Sequence, residues 1–173
     1  MNYREHLLQP MSKHFVDRLA LEILNHPNDF EIVYKLIFDT NEKVAWRAAW
    51  ACEKICEKRP DLFLEAHYQQ IASLIISNSH GGLQRGCLSI LINLPIPDPF
   101  PVELLNNCYD KIISDKSPIA VQALSLKLIY KFCLKEPDLI PELKAYLENF
   151  ESSEFSPGII ATRKNILKLL NKR

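Results

Sequence analysis

Two cysteines four residues apart, Cys52 and Cys56, share the stretch VAWRAAWACEKIC at residues 44–56 with two tryptophans of the same spacing, Trp46 and Trp50. On a helix of about 3.6 residues per turn each pair falls on one face. Two thiolates could grip a metal ion, but a closed zinc site takes four ligands, and no nearby C-x-x-C or paired histidine supplies the rest. No metal is expected, and both cysteines read as core. A cysteine nucleophile needs a positioned base, and nothing in the sequence sets His6, His14, His26, His67 or His80 beside a cysteine. His80-Gly81-Gly82, with Arg85 one turn on, could offer an anion the free N–H groups of a helix start. It lacks the strand and spacing of a phosphate-binding loop, and a simple turn between repeats explains it. Glu53 with Glu57, and Asp110 with Asp115, read as solvated helix faces rather than acid–base pairs. No catalytic residue and no cofactor is assigned.

Composition narrows the class. Lysine plus arginine and aspartate plus glutamate both number 21, so no overall positive field draws the chain onto phosphate backbones. The N-terminal stretch MNYREHLLQPMSKHF is charged and proline-broken where a secretion signal needs an apolar run. No apolar stretch of the ~18 residues needed to span a bilayer occurs. Five cysteines, at 52, 56, 87, 108 and 133, sit inside apolar helical patterns. An odd number so placed reads as reduced thiols in a cytoplasmic core.

Four glycines and apolar spacings of three and four point to helices nearly throughout, with prolines as punctuation. The expected helices are 11–25, 28–39, 42–58, 61–77, 81–94, 99–114, 117–135, 138–149 and 157–171. These helices repeat. The apolar set Val44, Ala48, Ala49, Ala51, Cys52 and Ile55 shifts by 39 residues onto Leu83, Cys87, Leu88, Ile90, Leu91 and Leu94. A further shift of 38 reaches Val121, Ser125, Leu126, Leu128, Ile129 and Phe132, with Ser125 the one polar residue of the set. Pro60, Pro99 and Pro137 each follow 16 residues after the first position of their copy. Two features with one period imply stacked helix pairs, in which each pair buries its apolar face on its neighbours.

The pattern of Asp39, Val44, Ala48, Ala49, Ala51 and Ile55, with Cys52 in a leucine place, resembles a HEAT-type (armadillo-type) repeat. The resemblance implies an all-α fold, an α-α superhelix or solenoid of about four helix pairs. Residues 1–173 then form a single repeat domain, with repeats at roughly 28–58, 61–94, 99–135 and 138–171 and a capping helix at 11–25. One departure concerns the arginine that the family often places after the β-branched residue: this chain has Ala45, Gln84 and Gln122, which puts the stacked Asp–Arg ladder in doubt. Tetratricopeptide repeats, with a period of about 34 residues, fit less well. In the last helix Ile166, Leu167 and Leu170 share one face, while Arg163, Lys164, Lys168 and Lys172 form the polar outer face of a terminal repeat.

At about 100° per residue, Trp46, Trp50, Glu53 and Glu57 gather opposite the apolar side of their helix. By resemblance that side lines the concave groove, and the same offsets add Arg85, Ser89 and Ile92, then Ala123, Lys127 and Tyr130. Tryptophan and arginine are enriched at binding hot spots. The expected function is therefore a non-enzymatic scaffold that binds a protein or peptide on its concave face. Trp46, Trp50, Glu53, Glu57, Arg85 and Lys127 are the binding candidates, and the chain is expected to be a monomer or weak oligomer, off the membrane. A competing possibility is that both tryptophans pack under the N-terminal helix, on Phe15 or Leu19. The functional alternative is a nucleic-acid-binding or DNA-repair-type HEAT-like protein, since such glycosylases resemble this chain in groove and tryptophans. Balanced charge counts against it.

Overall fold

A computed structural model describes residues 2–150 and 155–172, and these are helical with no strand among them. Their contacts divide into two compact units, residues 1–95 and 96–173. The first holds α1 (Tyr3–Leu8), α2 (Lys13–Asn25), α3 (Phe30–Lys35), α4 (Glu42–Cys56), α5 (Glu65–Ser77) and α6 (Gly81–Asn93). The second holds α7 (Val102–Ile113), α8 (Ile119–Lys135), α9 (Ile140–Glu148) and α10 (Pro157–Leu170).

Every expected helix is present, within a few residues at each end. The expected helix at 28–39 is a composite, α3 between 3-10 turns at Pro27–Asp29 and Leu36–Phe38. The prolines act as anticipated: Pro60 and Pro137 each open a 3-10 turn of sequence PDL ahead of the following helix, Pro27 opens another, and Pro157 begins α10. Starts are fixed by side chains that take the otherwise unused N–H groups. Ser12 Oγ accepts from Phe15 N at 3.2 Å, Asn41 Oδ1 from Lys43 N and Val44 N at 3.0 and 3.3 Å, and Ser156 Oγ from Ile159 N at 3.4 Å.

All the residues of the three aligned copies, from Val44 to Phe132, are buried, Ser125 included. Burial of the whole template confirms that the period reflects inward faces rather than chance similarity. Ser125 is tolerated because it is small and its hydroxyl lies beside the Cys108 thiol. In the first unit α4 packs most closely on α6 and also on α1, α2 and α3. The alanines of α4 explain that closeness: a Cβ built on Gly86 would stand only 2.9 Å from Ala49 Cβ and 3.1 Å from Ala49 C. Between α3 and α5 the space is filled by rings, Phe30 against Phe63 at 4.8 Å and Tyr34 against His67 at 4.2 Å.

The turn inside each helix pair is clamped by a side chain. Gln84 of α6 donates its amide to Asn78 O at the end of α5. Gln122 of α8 donates to Ile112 O and Ser114 O at the end of α7, at 3.2 and 3.1 Å. Arg163 of α10 donates to Leu147 O of α9 at 2.5 Å, so it ties a helix end instead of joining the solvent face with Lys164 and Lys168. In the first pair Ala45 has nothing to donate, and Arg4 of α1 grips Asp39 through two hydrogen bonds of 2.7 and 3.1 Å. The glutamines thus replace the arginine ladder, and an arginine from outside the pair restores its first step.

Candidate functional site

Trp46 and Trp50, one turn apart on α4, are both half-buried. Their rings stack at 6.0 Å with 19° between planes. Cations flank the pair on either side: the Arg47 guanidinium lies 5.4 Å from the Trp46 ring centre and the Arg85 guanidinium 5.9 Å from that of Trp50. Such contacts are worth about 0.5–1 kcal/mol each where water reaches them. Trp46 is held in place by α6, where a Cβ on Gly82 would lie 3.5 Å from its Cγ. The Phe15 ring lies near His6 and under Arg18, and Leu19 is buried on α2, which packs on α4.

One turn beyond Trp50, Glu53 is partly buried with Ser89 of α6 as a hydrogen-bond partner. Burial pushes its carboxyl above the ordinary range, while nearby Lys54 and Arg85 pull it back. Its Oε2 is shielded from solvent and has no hydrogen-bond partner among the described residues. Glu57 is exposed and accepts from Lys54 Nζ at 2.6 Å. The offsets read from the sequence therefore converge: Trp46, Trp50, Glu53 and Arg85, with Ser89, form one patch on α4 and α6, and Glu57 sits at its rim. Lys127 is exposed on α8 and belongs to the second unit, with Tyr130 half-buried on the same helix.

The residue that sequence reasoning passed over is Arg47. It is almost wholly buried and donates through Nη1 to Leu7 O and Gln9 O at 2.6 and 2.7 Å, so it fastens the end of α1 onto α4. An arginine set between Trp46 and Ala48 in an alanine-rich helix was the available signal. Committed to two carbonyls, its charge is not presented to a ligand.

The thiols, the start of α6 and the paired carboxylates are each placed by the fold. All five cysteines are buried, and none forms a disulfide. Burial pushes Cys87 and Cys108 up to about 12, Cys133 up to about 11, and Cys52 well above the usual thiol value. Thiols in that state are neither nucleophiles nor metal ligands at neutral pH. No cluster of metal-binding side chains occurs among the described residues. At the start of α6, His80 Nδ1 accepts from Leu83 N at 3.1 Å and Asn78 Oδ1 accepts from His80 N at 2.7 Å, so the protein itself uses part of the N–H set that an anion would need. Asp110 and Asp115 are exposed. No helix among the described residues is long and apolar enough to cross a membrane.

The geometry is that of paired helices with one buried template repeated along the chain, and a comparison of the sequence with known families agrees. The model of the HEAT repeat domain matches residues 3–170. No curated protein and no solved structure matches. Since the match spans nearly the whole chain and the buried periodicity is that of stacked helix pairs, the chain belongs to the HEAT repeat domain family and is a helical repeat scaffold.

Proposed function

We propose that this scaffold is non-enzymatic and binds a protein or peptide segment on the face formed by α4 and α6, the face that family resemblance assigns to the concave wall. The observation that carries the reading is the half-buried Trp46–Trp50 stack with the Arg85 guanidinium over its end. Arg85 has no hydrogen bond among the described residues, so its donors are available to a partner's carbonyl or carboxylate. Two rings held by Gly82 and Arg47 lose little freedom on binding, which suits them as anchors. Glu53 and Glu57 select the partner's charge, and Lys127, exposed on α8 of the second unit, is a separate contact of that unit. The chain acts in the cytoplasm, as a monomer or weak oligomer. Five buried thiols outside any disulfide support a reducing compartment.

The test is selection of peptides from a random display library on the intact protein, with the Trp46→Ala/Trp50→Ala double variant as the counter-target. Peptides that bind the native chain at least about tenfold more tightly than the variant are expected. Circular dichroism must show the variant helical; if instead the fold collapses, the tryptophans are core and the site is lost. Retention on DNA at low salt that weakens steeply as salt rises would favour the nucleic-acid reading. Arg47 adds nothing to that reading, since its guanidinium is spent on Leu7 and Gln9.

A further inference from the structure

The second unit carries a cleft unrelated to the tryptophan patch. It lies between α7 and α9, has a volume of about 450 Å³, and is walled by Tyr146, Phe150 and Phe155 with Glu142 and the exposed Ile113 at its edges. The rings form a continuous chain. Tyr109 meets Tyr146 edge-on at 5.2 Å, Tyr146 meets Phe150 at 5.8 Å and 65°, and Phe150 stacks on Phe155 at 3.6 Å and 18°. Phe150 and Phe155 each cover one face of the other and keep the opposite face, and Tyr146 stands at a steep angle to Phe150.

The electrostatics of that space have a single sign. Ring faces are negative and attract cations. Glu142 is the charged residue of the lining, and it makes no ion pair among the described residues. An anion is repelled. A hard metal ion is not suited either, since it takes six or more oxygen ligands or keeps much of its water. Acceptors at the wall are few: the Glu142 carboxylate and Asn149 Oδ1, the Asn149 side-chain N–H donating to Ala145 O at 2.9 Å, while the Tyr146 hydroxyl is shielded from solvent without a partner. A primary ammonium, whose three N–H groups each want an acceptor, would depend on Glu142 and Asn149 for all of them, with the ring walls offering none. A quaternary ammonium has no N–H to satisfy and presents methyl groups to ring faces.

We propose that the α7–α9 cleft is a binding site for a quaternary ammonium group, caged by Tyr146, Phe150 and Phe155 and neutralised by Glu142. Its volume is that of a small-molecule site, and the same head group reaches it either as a free choline-like compound or as the trimethylated lysine of a protein tail.

The experiment is calorimetric and NMR titration of the full chain with choline, with its neutral isostere 3,3-dimethylbutan-1-ol, and with a short peptide bearing one trimethyllysine. Choline or the peptide should saturate with a Kd of about 10 mM or tighter, shifting aromatic resonances of Tyr146 and Phe155. The isostere should bind at least about tenfold more weakly. Tighter binding of choline assigns the site to a metabolite, and tighter binding of the peptide assigns it to a protein tail; each supports the cage. Glu142 is exposed, so Glu142→Gln leaves the fold intact and should weaken choline several-fold. Failure of both cations to saturate, equal affinity for the isostere, or an unchanged Kd in Glu142→Gln overturns the proposal.

Discussion

Single side chains here carry opposite electrostatic signatures, and Glu53 and Asp39 show the contrast. The Arg4 guanidinium and the Asn41 N–H hold the Asp39 carboxyl below the ordinary range, so its stabilisation is present above the unfolded carboxylate value and fades as pH falls through the lowered one. Glu53 is raised, chiefly by burial. The folded protein then holds that proton more tightly than the unfolded chain does. Stability from this group is full at acid pH and is lost as pH rises from the ordinary carboxylate value through the raised one. Glu53→Gln keeps the shape and the hydrogen-bonding partner Ser89 but removes the proton linkage. The melting temperature of the variant at pH 7 should exceed that of the native chain, and the difference should shrink to nothing below pH 4. A variant that melts lower at pH 7 would show that the attraction of Lys54 and Arg85 outweighs desolvation. The magnitude is small because Lys54 and Arg85 offset part of the desolvation and the side chain stays partly solvated.

Between elements, the controlling quantity is how near two helices can come. Gly86 and Ala49 set it for α4 and α6, and the obstacle to a larger residue is backbone, Ala49 C at 3.1 Å and Ala49 O at 3.3 Å from a built Cβ. Backbone does not swing aside, so Gly86→Ala must part the helices. Overpacking costs about 1–3 kcal/mol, against about 1 kcal/mol gained from replacing glycine in a helix interior. The variant should therefore lose roughly 1 kcal/mol in urea unfolding, and a gain in stability would mean that α4 and α6 slide freely. This contact was half legible in the sequence: the alanines of VAWRAAWA suit a close neighbour, while Gly86 lies outside the aligned apolar set. The buried template was legible because helical periodicity is set by burial alone. The clamps were not. Gln84 and Gln122 stood out as departures from a family pattern, yet their partners are backbone carbonyls, which no residue code records. For the same reason Arg47 escaped notice, its two acceptors being the main chain of Leu7 and Gln9. Helix α1 escaped as well, since six residues with two apolar contacts carry too little period to detect. Of the candidate site, face and membership were readable from helical offsets, but stacking of the tryptophans and the shielding of Glu53 depend on α6 standing close enough to touch them.

Across the molecule, five thiols distributed over both units act as built-in reporters of opening. Cys52, Cys56 and Cys87 belong to the first unit, and Cys108 and Cys133 to the second. A thiol reacts as its thiolate, so burial protects it twice, by excluding reagent and by raising its pKa. Reaction then requires the local structure to open, and its rate measures that opening. In native protein at pH 8, labelling with an aromatic disulfide reagent should run at least about a thousandfold slower than for a small free thiol, with all five groups titrating once denaturant is added. Repeat arrays need not open everywhere at once, because each helix pair is held chiefly by its neighbours. The order of labelling, read by mass spectrometry after short pulses, therefore resolves which unit yields first. Cys108 and Cys133 share the second unit and should label together when that unit opens, apart from Cys87 of the first. Prompt reaction of Cys52 or Cys87 in the native state would remove them from the α4–α6 interface, and with them the packing that holds Trp46 and Trp50 in place.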